Sequence, residues 1–286
     1  MKPKNNENIT IDYTYNGKTL TFTKPLVMAI VNLTPDSFYD GAKFDTTAEV
    51  LNDVEEKIKL GANIIDIGAA SSRPNAIEIS EEEEWQRLEK SLIEIRKKFP
   101  GIFISVDTYR SSIAKNSADL GADIINDISG GNLDTKMFEI VAKLGIPYVL
   151  MHMQGIPQTM QLNPNYLNVV DDITNEFEQK IVSLKKLNFD KIILDVGFGF
   201  GKTTQHNYQL LKQLNKFNGL GFPVLAGLSR KGMINKVINT SPVTALNGTT
   251  VLNTIALLNG ANILRVHDVT EAKQAIELVE FYKNNN

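Results

Sequence analysis

The chain has 286 residues, of which 42% are hydrophobic, so its core could fill one large α/β barrel or two ordinary domains. It contains no cysteine, which excludes disulfides, thiolate metal sites and cysteine nucleophiles, and its net charge of −3 argues against non-specific nucleic-acid binding. No apolar run approaches the ~20 residues of a membrane span, and the first residues lack the apolar stretch of a signal peptide. We therefore expect a cytoplasmic protein.

The predicted elements begin with a short hairpin and then repeat one unit. Ile9–Tyr13 and Thr19–Thr23 form the hairpin, which turns at Asn16-Gly17, a dipeptide that favours two-residue turns. Short runs of Val, Ile and Leu then alternate with longer amphipathic stretches, as expected for parallel strands that are covered on both faces. The eight predicted strands are Leu26–Asn32, Ala62–Gly68, Phe103–Thr108, Asp123–Ile128, Pro147–His152, Lys191–Val196, Pro223–Leu228 and Ala261–His267.

Helix signals fall between these strands. Ser80–Glu83 reads as a capping box with an acidic first turn, and Ser241-Pro242 predicts an N-cap followed by proline at the first helical position. A weak repeat recurs at 61–65, 121–125 and 260–264, where Gly-Ala-Asn/Asp precedes Ile-Ile or Ile-Leu. In each copy the glycine would end a helix and a short turn would lead into the next strand.

Eight strand–helix units of this spacing predict a single-domain (β/α)8 TIM barrel over residues 25–283, preceded by the hairpin within residues 1–24. The alternative is a doubly wound open sheet, which would favour a G-x-G-x-x-G segment after the first strand, where Asn32–Phe38 stands instead. The glycine-rich segment Gly197–Thr203 resembles a P-loop, but a Walker A motif requires glycine where Val196 stands. We interpret that segment as a tight turn at the mouth of a pocket.

Polar residues collect at the ends of all eight predicted strands, which is where barrels of this kind form their active sites. A single polar residue at a strand end often only caps the next helix, whereas eight in succession indicate one site. Asp107, Asn126 and Asp195 can share hydrogen bonds with the edge of a planar, nitrogen-rich heterocycle.

Cationic groups follow the last two strands. Lys231, Arg265 and His267 form a candidate anion clamp in the position where barrels commonly bind phosphate. His152 could equally be a core residue or a functional one, and His206 is expected on an exposed helix start. Because the three histidines are dispersed, a metal would be a hard, mostly hydrated ion held by oxygen ligands and substrate phosphates.

Together these motifs resemble the dihydropteroate synthase family, from about Leu26 to Ala275. The segments that carry the resemblance are Asn32–Phe38, Asp66–Gly68, Ser72–Pro74, Ser105–Thr108, Asn126–Ile128, Asp195–Thr203, Ser229–Lys231 and Arg265–Asp268. The resemblance implies a transferase of folate biosynthesis that joins (7,8-dihydropterin-6-yl)methyl diphosphate to p-aminobenzoate, giving 7,8-dihydropteroate and diphosphate. It also implies a Mg²⁺ cofactor, a homodimer and a sulfonamide target.

The resemblance also implies roles for particular residues. Asn32 would approach Mg²⁺ and the leaving diphosphate. The pterin and diphosphate would be bound by Asp107, Asn126, Asp195, Lys231, Arg265 and His267. Two loops, after the first and second barrel strands, would close over the second substrate. The residues of this p-aminobenzoate side would be Asp36, Phe38, Ser72, Arg73, Pro74, Phe200, Ser229 and Lys231. Met153 is a further predicted substrate-binding residue. Asp36, Arg73 and Lys231 are the predicted catalytic residues.

Two departures from the family pattern bear on alternatives. Gly68–Asn75 reads GAASSRPN where the family usually has GGESTRPG, so Ala70 removes a carboxylate, and Val196 replaces a usual proline. One alternative is a methyltetrahydrofolate–corrinoid methyltransferase, which shares the barrel and pterin acids but needs neither Asn32–Phe38 nor Ser229–Lys231. Another is a catalytically silent pterin-binding paralogue with a regulatory role, supported only by the altered loop.

Overall fold

Eight parallel strands close into a barrel in the computed structural model, which describes residues 11–33, 47–70 and 78–285. The barrel strands are β3 (Leu26–Asn32), β4 (Ile64–Gly68), β5 (Phe103–Asp107), β6 (Ile124–Asp127), β7 (Tyr148–Met151), β8 (Ile192–Asp195), β9 (Val224–Ala226) and β10 (Ile263–Val266), and they are preceded by β1 (Asp12–Tyr15) and β2 (Lys18–Thr21). β1 and β2 pair as an antiparallel hairpin, and β10 closes the barrel by pairing with both β9 and β3. The predicted (β/α)8 barrel with an N-terminal hairpin is confirmed.

Helices connect the strands and cover the outside of the barrel. Within the described ranges they are α1 (Thr47–Leu60), α2 (Glu81–Lys98), α3 (Ser111–Asp119), α4 (Met137–Leu144), α5 (Val169–Lys186), α6 (Thr204–Lys212), α7 (Asn215–Asn218), α8 (Gly232–Ile238), α9 (Leu246–Leu258) and α10 (Val269–Asn284). Among the described residues, two helices follow each of β8 and β9, and one follows each of the other barrel strands. None of the helices in the described ranges combines the length and apolar character needed to cross a bilayer.

The two-residue period of the strands sorts the barrel interior into layers. An apolar layer near the N-terminal mouth is sealed by the hairpin. It contains Tyr13, Leu20, Phe22, Met28, Ile64, Ile124, Val149, Ile193, Leu225 and Ile263. Because side chains two residues apart point the same way, the next layer up on four of these strands holds polar groups. Those groups are Asp66, Asn126, Asp195 and Arg265.

The predicted hairpin turn is confirmed, and its strands lie closer to it than predicted. Asn16 and Gly17 both have positive φ, 47° and 74°, as a two-residue hairpin turn of this type requires. Tyr15 therefore pairs directly with Lys18, and the paired strands end within four residues of the turn on each side. Ile9, where the first strand was predicted to begin, lies outside the described residues.

The predicted helix signals other than Ser241-Pro242 lie at helix boundaries. Ser80 caps α2, since its Oγ accepts from the backbone N–H of Glu83 at 3.1 Å, although the Glu83 carboxylate pairs with Arg87 instead of completing a capping box. Each of the three glycines of the repeat follows a helix, as predicted, and has a positive φ. They are Gly61 at 105°, Gly121 at 96° and Gly260 at 92°.

The prediction that a helix begins at Ser241-Pro242 is wrong, because α9 begins at Leu246. Arg230 Nη1 donates to the carbonyls of Pro242 and Val243, at 2.8 and 2.9 Å, and thereby holds this segment outside the helix. The Ser241 carbonyl accepts from Thr244 N at 3.1 Å, which closes a single turn. A tertiary contact has therefore overridden a local helix signal.

Candidate active site

Arg265 lies between two carboxylates at the C-terminal mouth of the barrel. Its Nε and Nη2 are both 2.7 Å from Asp66 Oδ2, and its Nη2 also donates to Asp107 Oδ2 at 2.8 Å. Burial opposes the arginine charge, but the two carboxylates raise the pKa of Arg265 above its ordinary value. β10 thus contributes a permanently charged guanidinium that is fixed from β4 and β5.

Asp66 connects this arginine to a second polar group. The side chain of Asp66 is fully buried on β4, and Asn126 Nδ2 donates to its two oxygens at 3.3 and 3.2 Å. Asp66 therefore orients both Arg265 and Asn126. Although Asp66 belongs to a recognised motif, it was not among the predicted site residues; its position two residues after the inward-facing Ile64 was the signal that could have found it.

The two remaining carboxylates of the mouth, the half-buried Asp107 and the buried Asp195, lie beside cations. Burial raises the pKa of Asp107, and Arg265 opposes this effect. Burial likewise raises the pKa of Asp195, opposed first by Lys231, while Asp195 Oδ1 accepts from Gly197 N at 2.8 Å. Each carboxylate can still accept a hydrogen bond from a ligand N–H, because its bonds to the protein leave some of its lone pairs unused.

Lys231 stands directly before α8 and faces Asp195. Its Nζ donates to the Phe198 carbonyl at 2.5 Å and lies 4.9 Å from the centroid of the Phe200 ring. Burial lowers the pKa of Lys231 to about 8, and Asp195 opposes that effect. Both groups lie beside Gly227, since a Cβ at that residue would be 3.6 Å from Lys231 Nζ and 4.0 Å from Asp195 Oδ2.

Ser229 and His267 form a pair at the outer rim. Ser229 Oγ is 3.0 Å from His267 Nδ1 and also accepts from the His267 backbone N–H at 3.2 Å. Arg230 and Asp268, which occupy the same two strand ends, instead pair with each other through contacts of 2.9 and 2.7 Å. That pair fixes the β9 and β10 ends relative to one another.

An apolar wall closes the side of the mouth formed by β6, β7 and the segment after β8. Met153 and Phe200, both predicted substrate-binding residues, belong to this wall. Its members are Tyr109, Ile128, Met151, Met153, Met160 and Phe200. The mouth therefore combines charged groups from β4, β5, β8 and β10 with an apolar and partly aromatic surface, which suits an aromatic ligand.

Two histidines have structural roles. His152 is buried and packs between Lys202, 2.9 Å from its Nδ1, and Glu176, 3.4 Å from its Nε2. His206 is half-buried rather than exposed, because it forms a reciprocal capping box with Thr203 and packs edge-on against Tyr166. Neither ring faces the charged groups of the mouth.

Five predicted site residues lie outside the described residues. They are Asp36, Phe38, Ser72, Arg73 and Pro74. The remaining predicted residues, including Asn32 at the end of β3, lie on barrel strands or on the segments that follow them. Their arrangement around one mouth agrees with the placement that the strand-end pattern predicted.

The donor set at β3 suits a metal that is held mainly by its substrate. Within residues 11–33, 47–70 and 78–285 no cluster of three or more His, Cys, Asp or Glu side chains could hold a metal ion. Asn32, half-buried at the end of β3, offers a single amide oxygen. Mg²⁺ commonly takes one or two protein oxygens and completes its shell with water and substrate phosphates, so these residues fit that ion.

Comparison with known proteins identifies the family. Residues 28–267 match the model of pterin binding enzymes. The chain belongs to the pterin binding enzyme family. Among curated members, the dihydropteroate synthase of Haemophilus influenzae is 42% identical over 268 residues, which cover 92% of this chain and 96% of that relative.

Solved structures of this pterin-binding family have the same fold. The Yersinia pestis dihydropteroate synthase, in a sulfonamide drug complex, gives a TM-score of 0.90 at 38% identity and covers 96% of this chain and 99% of that chain. The Xanthomonas albilineans dihydropteroate synthase in complex with 7,8-dihydropteroate gives 0.87 at 32% identity, with coverages of 96% and 100%. This pterin binding enzyme is therefore similar to both over nearly its whole length.

The buried His152 predicts a loss of stability in acid. Burial and Lys202 lower its pKa from 6.5 to about 4, while Glu176 opposes them and Lys180 adds a weaker repulsion. Between these two pH values the unfolded chain binds the extra proton, so the free energy of unfolding falls as the pH drops. We expect about 2 kcal/mol of this loss between pH 7.5 and pH 5.

The measurement is urea unfolding of the unmodified protein and of His152→Gln at both pH values. Glutamine keeps a donor and an acceptor but cannot titrate, so its loss between the two pH values should be about 2 kcal/mol smaller. Equal losses in the two proteins would contradict the assignment.

Proposed function

We propose that this pterin binding enzyme joins (7,8-dihydropterin-6-yl)methyl diphosphate to p-aminobenzoate, forming 7,8-dihydropteroate and diphosphate. The observation that carries the proposal is the mouth itself, where Arg265 and Lys231 alternate with Asp107 and Asp195 beside an apolar wall. This arrangement suits a flat heterocycle with an N–H-rich edge and an anionic arm. The relatives described above are dihydropteroate synthases, and one structure holds the product.

The charged residues divide the binding of the first substrate between two ends. Asp107 and Asp195 accept hydrogen bonds from the pterin ring, and the Asn126 amide shares that edge. Arg265 lies over the ring and, with His267, receives the diphosphate. A carboxylate edge that binds the ring and a cationic rim that binds the leaving group fix the methylene carbon between them.

The reaction exchanges one bond for another at that carbon. The bond from the methylene carbon to the diphosphate oxygen breaks with its electron pair, and the amine nitrogen of p-aminobenzoate forms the new bond and then loses a proton. The pterin edge is bound to carboxylates, so positive charge that develops on the ring system is stabilised by Asp107 and Asp195. Lys231 and Phe200 bind the second substrate beside this carbon.

We also propose that Mg²⁺ binds with the diphosphate and that Asn32 contributes the protein ligand. When bound, this ion neutralises charge on the leaving group. The roles of Asp36, Phe38, Ser72, Arg73 and Pro74 on the two loops stay predictions from the family resemblance. Cytoplasmic localisation also stays a prediction.

Two alternatives are less well supported. A methyltetrahydrofolate–corrinoid methyltransferase would not need Ser229 and Lys231, yet Ser229 is bonded to His267 and Lys231 faces Asp195 in this mouth. A silent pterin-binding paralogue would retain the pterin edge without turnover. A turnover assay separates that paralogue from the enzyme.

A homodimer is the assembly that the surface favours. α9 and α10 pack beside each other and expose a row of large apolar side chains. They are Val251, Ile255, Leu258, Leu278, Phe281 and Tyr282. An exposed patch of this kind usually marks an interface. We expect sedimentation equilibrium to show a dimer that dissociates in Phe281→Glu, whereas a monomeric unmodified protein would contradict the proposal.

Turnover is the direct test of the proposed reaction. The protein is incubated with both substrates and Mg²⁺, and dihydropteroate and diphosphate are quantified together. We expect equimolar products, and we expect a chelator to abolish their formation and added Mg²⁺ to restore it. A protein that binds the pterin diphosphate tightly and forms no dihydropteroate would favour the silent paralogue.

A pair of variants on β8 ties that activity to this mouth. Asp195→Asn removes a charged acceptor and should weaken pterin binding by about 1.5–3 kcal/mol in calorimetry. Asp190→Asn alters an exposed residue just before the opposite end of β8 and should leave affinity unchanged. Equal affinities of the two variants would place the pterin elsewhere.

A further inference from the structure

Lys202, the lysine of the glycine-rich segment, points into the protein. Its side chain is buried, and its Nζ lies 2.9 Å from His152 Nδ1, 3.2 Å from the His152 carbonyl, 3.0 Å from the Gly197 carbonyl and 2.9 Å from the Phe200 carbonyl. An ammonium has three N–H donors, and all of them are directed at these four acceptors. None is left to contact a phosphate, so this lysine does not act as a P-loop lysine.

The segment 197–201 is held carbonyl by carbonyl. Lys202 Nζ donates to the carbonyls of Gly197 and Phe200. Lys231 Nζ donates to the carbonyl of Phe198, which lies between these two residues, at 2.5 Å. Gln161 Nε2 donates to the carbonyl of Gly199, and Tyr166 Oη donates to that of Gly201 at 2.9 Å. Two lysines therefore hold the same turn, one from the β7 side and one from the α8 side.

Glycine is required where this turn meets β7. Gly197 has a φ of 67°, and a Cβ there would lie 2.0 Å from the His152 carbonyl, the same oxygen that Lys202 contacts. The turn is thus pressed against the end of β7 and fastened there by the buried ammonium. The turn also contacts Lys231, which together with Phe200 of the turn belongs to the candidate active site.

We propose that Lys202 is a positioning residue, a buried ammonium that fixes the turn 197–201 so that the Phe198 carbonyl and the Phe200 ring hold Lys231 in place. Through Lys231 and Phe200 it shapes the p-aminobenzoate side of the mouth. This inference rests on the proposed function and adds to it a residue that does not itself touch either substrate.

Burial opposes the positive charge of Lys202, and the hydrogen bonds of its ammonium group offset that cost. Burial lowers the pKa of Lys202 to about 7, opposed first by Asp195. A neutral amine would have two N–H donors and one lone pair, so at least one of the surrounding carbonyls would lose its partner. The ammonium satisfies the turn more completely than any uncharged side chain of similar length.

Most of the pterin side of the mouth is fixed independently of this lysine. Arg265 and Asn126 are bonded to Asp66, and Arg265 is also bonded to Asp107, all on other strands. Asp195 accepts from Gly197 N of the turn, but its backbone is fixed in β8 between β7 and β9. Loss of Lys202 should therefore change the binding of the second substrate far more than that of the first. A general loss of structure would change both.

The test compares Lys202→Met with Lys180→Met in the full chain. Lys180 lies in the same buried network, 2.6 Å from Glu176, but has no bond to the turn. For Lys202→Met we expect KM for p-aminobenzoate to rise at least tenfold, while the calorimetric Kd for the pterin diphosphate changes less than threefold. Lys180→Met should change neither quantity by more than threefold.

A pH profile distinguishes positioning from mere stability. Lys231 is faced by Asp195, Arg265 and Asp107 and is repelled by Lys202. Exposure of Lys231 to water and loss of that repulsion should both move the alkaline limb of kcat/KM for p-aminobenzoate to higher pH in Lys202→Met. Lys202→Gln, whose amide can donate to two of the carbonyls, should give a smaller KM increase. If Lys202→Met does not fold, Lys202→Gln is measured in its place and judged by the same changes in KM, Kd and pH profile.

Three outcomes would overturn the inference. They are an unchanged KM, an unchanged pH profile, and equal losses of affinity for both substrates in the folded variant. Failure of the proposed function is distinct, because it is read in the unmodified protein. If that protein forms no dihydropteroate, the proposed function falls and this inference falls with it.

Discussion

The ion pair between Asp66 and Arg265 is the interaction on which the rest of the site depends. A fully buried carboxylate and a guanidinium are each costly to remove from water, and they are stable here because each satisfies the other at 2.7 Å. The remaining donors and acceptors then reach outward, from Arg265 to Asp107 and from Asp66 to Asn126. One pair thus sets the positions of groups on β4, β5, β6 and β10, which share only the barrel as their scaffold.

The same balance of charge explains how the mouth can receive a ligand. Asp195 lies beside Lys231 as Asp107 lies beside Arg265, so each of the two carboxylates faces a cation. A pterin edge can bind to the acids without leaving a cation unpaired, because the diphosphate arm supplies the opposing charge. The apolar wall and the turn 197–201 shape the remaining space. Binding and reaction therefore draw on one preorganised set of charges.

Local patterns predicted the fold and most of the site, and long-range contacts account for the rest. The barrel strands were predicted to within two residues at their ends because buried parallel strands such as Leu26–Asn32 are continuous apolar runs. The start of α9 was wrong because Arg230 holds the segment before it. Asp66 could have been found from its place two residues after Ile64, but its pairing with Arg265, 199 positions away, could not. Lys202 was missed as a site-organising residue because its partner His152 is 50 positions away in the chain.

The measurement that tests the central claim most directly is a double-mutant cycle on Asp66 and Arg265, read as calorimetric affinity for the pterin diphosphate. Asp66→Asn and Arg265→Met are measured singly and together, with circular dichroism to establish that each variant is folded. The account predicts that Asp66→Asn alone weakens binding at least tenfold and that it has less than a twofold further effect once Arg265 is replaced. Losses that simply add in the double variant would show that Asp66 does not act through Arg265, and would contradict the account.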